Sequence, residues 1–93
     1  MIQSFADSDT EKVWKRRHVG KLGSDLQRMA HRKLLILDAA ETINDLRVPP
    51  GNRLEQLRGG RAGQHSIRVN DQWRVCFLWS EAGPAEVAIT DYH

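Results

Sequence analysis

The apolar pattern changes its period at Pro49-Pro50-Gly51, and that change limits the chain to few architectures. Before it, Leu26, Met29, Ala30, Leu34, Ile36, Leu37, Ala40 and Ile43 fall on one broad side of a helix. After it, the residues alternate. Ile67 and Val69 oppose Ser66 and Arg68, and Trp73, Val75, Phe77 and Trp79 oppose Arg74, Cys76 and Leu78. Helices followed by half-buried strands imply an α+β fold, with helices packed on one face of an antiparallel sheet. Ser8 and Glu11 match a capping box and predict a short helix to about Arg17. Ser24 or Asp25 can start a second helix ending near Leu46. Met1–Asp7 reads as a first strand and Val87–Tyr92 as the last, giving the order β-α-α-β-β-β. A chain of 93 residues makes one domain, 1–93.

The second half also predicts its own register. A two-residue loop after Val69 would put arginine on the core face. A three-residue loop through Asn70, Asp71 and Gln72 pairs Val69 with Trp73, Ile67 with Val75 and Arg68 with Arg74. Only that register keeps both apolar sets on one side. It also sets two like charges opposite each other on the outer face, a repulsion on a cross-strand scale of about 0.2–1 kcal/mol. Either an anion relieves it or the two side chains splay into water.

Charge is as unevenly spread as hydropathy. Residues 47–79 hold six arginines, no lysine and two acids, a balance of +4 in a chain whose total is +2. Arginine's planar fork binds phosphate bidentately, so Arg53, Arg58, Arg61, Arg68 and Arg74, among glycines and strands, suggest a phosphodiester-binding face. A solvated basic surface is the alternative. Leu54 and Leu57 are the only large apolar residues of the glycine-rich connection and should pin it to the body. No apolar run approaches the roughly 20 residues needed to span a bilayer. The first residues lack a signal-peptide pattern, and lone Cys76 fits a buried thiol in a reducing cytoplasm. His18, His31, His65 and His93 lack zinc-ligand spacing, no nucleotide phosphate loop occurs, and no cofactor is expected. Lys15-Arg16-Arg17-His18 reads as an exposed helix end.

The chain closes on Asp91-Tyr92-His93, directly after a strand. With arginines nearby, these supply parts for cleaving RNA without metal: a 2′-hydroxyl to deprotonate, phosphorane charge to neutralise, a 5′-oxygen to protonate. His93 is the candidate for proton transfer, and its own α-carboxylate would favour imidazolium. Tyr92 could stack on a base or share proton transfer, and Asp91 could orient the imidazole. Neighbours on a strand point to opposite faces, so the alternation must break before the end for these groups to meet. A frayed terminus is the competing reading. His65, beside the arginines, is the rival imidazole.

The element order resembles the RelE superfamily of bacterial toxins. The stretch Asn52-Arg53-Leu54-Glu55-Gln56-Leu57-Arg58-Gly59, then Gly63 through Arg74, with terminal Asp91-Tyr92-His93, resembles the HigB toxins and their GraT-type relatives. That resemblance implies the toxin of a type II toxin–antitoxin pair, a ribosome-dependent endoribonuclease that cuts mRNA to a cyclic phosphate and a 5′-hydroxyl. By position, Arg58 matches the family's basic catalytic-site residue, often lysine, and Arg74 its phosphate-binding arginine. Asp91, Tyr92 and His93 match the C-terminal active-site run. Glu55 stands where some HigB proteins carry histidine. The implied partners are a helix-turn-helix, HigA-like antitoxin encoded nearby, the ribosome and mRNA, with operator DNA reached only through the antitoxin complex; no membrane is implied. A non-catalytic RNA- or ribosome-binding module would use the same basic face; an antitoxin-binding, DNA-corepressing subunit with weak toxicity is a third reading.

Overall fold

A computed structural model of the protein describes residues 1–61 and 63–91. Helix α1 spans Ser8–Trp14 and α2 spans Ser24–Ala39. Strands β1 (Glu55–Gln56), β2 (Gln64–Arg68), β3 (Trp73–Ser80) and β4 (Gly83–Asp91) form an antiparallel sheet in the order β1-β2-β3-β4. Ala30, Leu34 and Leu37 of α2 are fully buried with Ile67, Val75, Phe77 and Val87 of the sheet, so the helices cover one face. No helix among the described residues is long and apolar enough to cross a membrane.

The helices are shorter than their periodicity suggests, for local reasons. Asp7, not Ser8, caps α1, accepting from the Thr10 amide at 2.7 Å. At its other end Arg16 is left-handed (φ 61°). The Arg16 and Arg17 amides donate to the Val13 and Lys12 carbonyls, a Schellman closure that stops the helix at Trp14. Helix α2 ends at Ala39 because Asp45 Oδ2 accepts from the Glu41 and Thr42 amides, capping a separate 3₁₀ turn, Ile43–Arg47.

The N-terminal segment is not a strand of the sheet. It makes one isolated parallel bridge, Phe5 to Val87, supported by backbone bonds between Gln3 and Pro84 and between Ala6 and Val87. Gly83 permits this approach. With φ at 132°, a Cβ there would come 2.3 Å from the Met1 carbonyl oxygen.

The hairpin follows the expected register: Ile67 faces Val75, Arg68 faces Arg74, and Val69 N–H donates to the Trp73 carbonyl. Asn70 Oδ1 accepts from the Gln72 and Trp73 amides, which closes the three-residue loop. Between β3 and β4 the ladder slips. Cys76 pairs with Ala88 but Leu78 with Ala85, so Glu86 and Val87 together oppose Phe77.

Candidate nucleic-acid interface

The sheet face turned away from the helices carries the arginine-rich site. Alternation puts Gln64, Ser66 and Arg68 of β2, Arg74, Cys76 and Leu78 of β3, and Ala88 and Thr90 of β4 on it. Arg74 is at its centre, buried to 8% exposure. Its Nε donates to Ser66 Oγ at 2.7 Å, and Nη2 donates to the Ser66 carbonyl at 3.2 Å and the Arg53 carbonyl at 2.5 Å. Glu55 Oε2 lies 4.0 Å from Nη2. Among the described residues Nη1 makes no hydrogen bond, so two of five donors remain for a bound anion.

These contacts correct the picture of two guanidinium groups repelling each other on an open face. Arg68 reaches Asp71 in its own hairpin loop, and Arg74 turns along the sheet to Ser66 and Glu55. Each charge has a protein partner. The Arg68–Arg74 pairing therefore needs no outside anion to relieve it.

The segment that runs through β1 positions Arg53 and Arg58. Asn52 is fully buried; its Nδ2 donates to the Leu46 and Val48 carbonyls, and its Oδ1 accepts from Lys33 Nζ at 2.5 Å. Burial, with Arg32 and Arg68 nearby, pushes the Lys33 ammonium below its ordinary pKa. Arg53 then adopts φ 44°, a left-handed conformation that aims its carbonyl at Arg74 while its side chain stays exposed. Leu57 is buried, and Leu54 packs on the core, so the connection is pinned as expected. Arg58 follows directly and stands exposed, before the turn Gly59–Arg61.

Not all the candidate residues meet. Asp91 lies opposite Trp73 in register and shares the parity of Ile89 and Val87, whereas Arg74 faces Thr90. Asp91 therefore leaves the sheet on the helix-bearing side, where Oδ2 accepts from Gln72 Nε2 at 3.1 Å. The ladder slips near Glu86, ahead of Val87, and alternation is regular from Val87 to Asp91, so the expected break is not found within the described part of β4. Tyr92 and His93 lie outside the described residues, as does the Arg61 side chain. His65, the rival imidazole, is also on the helix side, stacked on Phe77 with ring centroids 6.2 Å apart. Its Nδ1 is buried without a partner among the described residues, and burial lowers its pKa. No group of three or more His, Cys, Asp or Glu among the described residues could hold a metal ion.

Sequence reasoning missed Ser66, Asn52 and Lys33. A serine in an alternating strand and an asparagine after Pro-Pro-Gly look like ordinary outer-face and turn residues. A larger groove of about 440 Å³ lies on the helical side, where Arg16, Arg17 and His18 face Arg28, His31 and Arg32. Lys15, Arg16, Arg17 and His18 form an exposed helix end, as expected, and Arg16, Arg17 and His18 also form one wall of that groove.

Comparison with known proteins decides the family. Residues 3–93 match the profile of HigB-like toxins, described as the RelE-like toxin of the type II toxin–antitoxin system HigB. The chain belongs to the HigB-like toxins. It is 42% identical to Toxin HigB-1 of Vibrio cholerae over 94 residues, covering 99% of this chain and 94% of that protein. An uncharacterised protein of Haemophilus influenzae is 46% identical over 59 residues, 63% of this chain and 58% of that one. The fold is also found in the YoeB–YefM complex from Staphylococcus aureus. One of its chains superposes with a TM-score of 0.64 at 15% identity, covering all of this chain and 98% of that one. As a HigB-like toxin, the protein has a cognate antitoxin as its implied partner.

Proposed function

We propose that this HigB-like toxin is a ribosome-dependent endoribonuclease that cleaves mRNA by metal-independent attack of a ribose 2′-hydroxyl. The observation carrying the proposal is the fixed guanidinium of Arg74. Ser66 and the Arg53 carbonyl hold three of its donors, and Nη1 is left for a phosphate oxygen. A donor held in place before the reaction costs little reorganisation when the phosphorane charge develops. Exposed Arg58 and Arg53 extend the cationic surface along the connection, with Arg61 and Arg68 as further phosphate contacts.

In this scheme the 2′-oxygen attacks phosphorus, the bond to the 5′-oxygen breaks, and a 2′,3′-cyclic phosphate and a 5′-hydroxyl result. Glu55, opposite Ser66 and beside Arg74, supplies a carboxylate that can take the 2′-hydroxyl proton. His93 returns a proton to the departing oxygen, while Tyr92 stacks on a base. Asp91 leaves on the other sheet face, so its part is to hold the end of β4 through Gln72 rather than to touch the phosphate. A helix-turn-helix antitoxin encoded beside the toxin would neutralise it and carry the complex to operator DNA.

Ribosomes programmed with a defined mRNA test the reading, with 5′ ends mapped after exposure to the purified toxin. Arg74→Lys should lower cleavage about 100-fold, the scale of losing one placed transition-state donor. His93→Ala should abolish most of it while ribosome binding survives. Cleavage unchanged in both variants would overturn the roles given to Arg74 and His93, whereas ribosome binding without any cleavage by the unmodified protein would favour the second reading, a binding module without catalysis. That reading draws on the commitment of most Arg74 donors within the protein.

A further inference from the structure

Beside Arg74, on the same face of the sheet, is a cavity of about 240 Å³ lined by Gln64, Cys76, Leu78, Glu86, Ala88 and Thr90, with Ala6 of the N-terminal segment at its edge. We infer that it is a nucleobase pocket, and that Glu86 selects bases carrying an exocyclic amino group over uracil. The inference rests on the RNA-cleaving reading of the Arg74 face and goes beyond it by naming what is read there.

The shape follows from residue size. Cys76 and Ala88 pair in register and are small, so the sheet surface dips between Leu78 on one side and Arg74 on the other. The dip has an apolar floor and wall, suited to the flat face of a base. Its rim is polar in a way that matches a base edge. Gln64 presents an amide with both donor and acceptor, Thr90 a hydroxyl, and Glu86 a carboxylate that in its ionised form can only accept. Adenine, cytosine and guanine each offer an amino donor to such a group, whereas uracil offers a ring N–H alone.

Two features fix the direction in which a nucleotide would lie. Thr90 both lines the cavity and faces Arg74 in register, so the pocket adjoins the phosphate site directly. Glu86 stands on the outer strand, away from the arginine-bearing connection, where a carboxylate repels phosphate and tolerates a base edge. Its placement is also built in. The slip that leaves Glu86 and Val87 opposite Phe77 puts Ala85 and Glu86 on the same face, and Glu86 is left-handed at φ 50°. An acidic side chain held in a conformation that disfavours it is the pattern of a site residue. Ser4 clamps it from the N-terminal segment: the Glu86 amide donates to Ser4 Oγ at 2.9 Å, and that hydroxyl donates weakly to Oε1 at 3.4 Å.

Uncleavable 2′-deoxy trinucleotides of adenine, cytosine and uracil, titrated by calorimetry, test the pocket without needing turnover. The adenine and cytosine oligomers should bind roughly tenfold tighter than the uracil one, the scale of one base-edge contact. Glu86→Gly suits the left-handed backbone and should fold normally, yet bring the three affinities together. Gln64→Ala should narrow the same gap. Equal binding by the unmodified protein, or a gap that survives Glu86→Gly, overturns the inference. The ribosome assay fails or succeeds independently. A toxin that cuts nothing but still discriminates the oligomers loses its nuclease reading and keeps its base pocket.

Discussion

The two faces of the sheet are built from interleaved residues of the same strands, yet they solve different problems. The helix-bearing face is a packed apolar layer in which Ile67, Val75, Phe77 and Val87 are fully buried. The opposite face buries an arginine and a serine and satisfies them with each other. The first gains stability from area removed from water. The second holds a charge in place, and much of what its hydrogen bonds gain is offset by desolvation. Stability and placement can thus be altered separately, although adjacent residues carry them.

Phe77→Ala should break the helix-bearing face most severely, costing about 3–5 kcal/mol in denaturant unfolding. A loss under ~1 kcal/mol would mean the two faces share the work of stability. Ser66→Ala should sharpen the contrast from the other side. We expect about 1–2 kcal/mol from the buried guanidinium left short of a partner, with a larger fractional loss of mRNA cleavage than of stability. If cleavage stays normal while stability falls, the Arg74–Ser66 pair serves only the fold.

The smallest effect concerns pH and His65. Burial lowers the pKa of its imidazole from the ordinary 6.5, so the folded protein binds that proton less readily than the unfolded chain. The contribution to stability is complete above 6.5 and declines as pH falls through that value toward the lower folded pKa. His65→Phe should therefore make the melting temperature less sensitive to acid between about pH 7.5 and pH 5. An identical pH slope in the variant would place the titration elsewhere.

Most of the fold was readable because its signals are local and periodic. The three-residue loop followed from keeping Ile67, Val69, Trp73 and Val75 on one side, and the structure has that register. The end of α2 was not readable from periodicity, because Thr42 and Asp45 cap a new turn within a stretch that keeps helical spacing. The N-terminal strand failed for another reason: bonding to a sheet edge at one bridge does not require a regular ladder. At the site, the arginines were visible from composition. Their partners were not, since Ser66, Glu55 and the Arg53 carbonyl come together only through tertiary packing. The opposite facing of Asp91 and Arg74 was legible, since Asp91 shares the parity of apolar Val87 and Ile89 while Arg74 alternates with Trp73 and Val75.

The Arg53 carbonyl gives this site an unusual freedom. Because the chain's backbone rather than its side chain grips the central guanidinium, position 53 can drift in sequence while its shape may not. Asparagine or glycine would serve there at little cost, and a β-branched residue would not. Relatives of this toxin could therefore swap the charge at that corner, and with it their hold on a polyanion, without disturbing the clasp beneath.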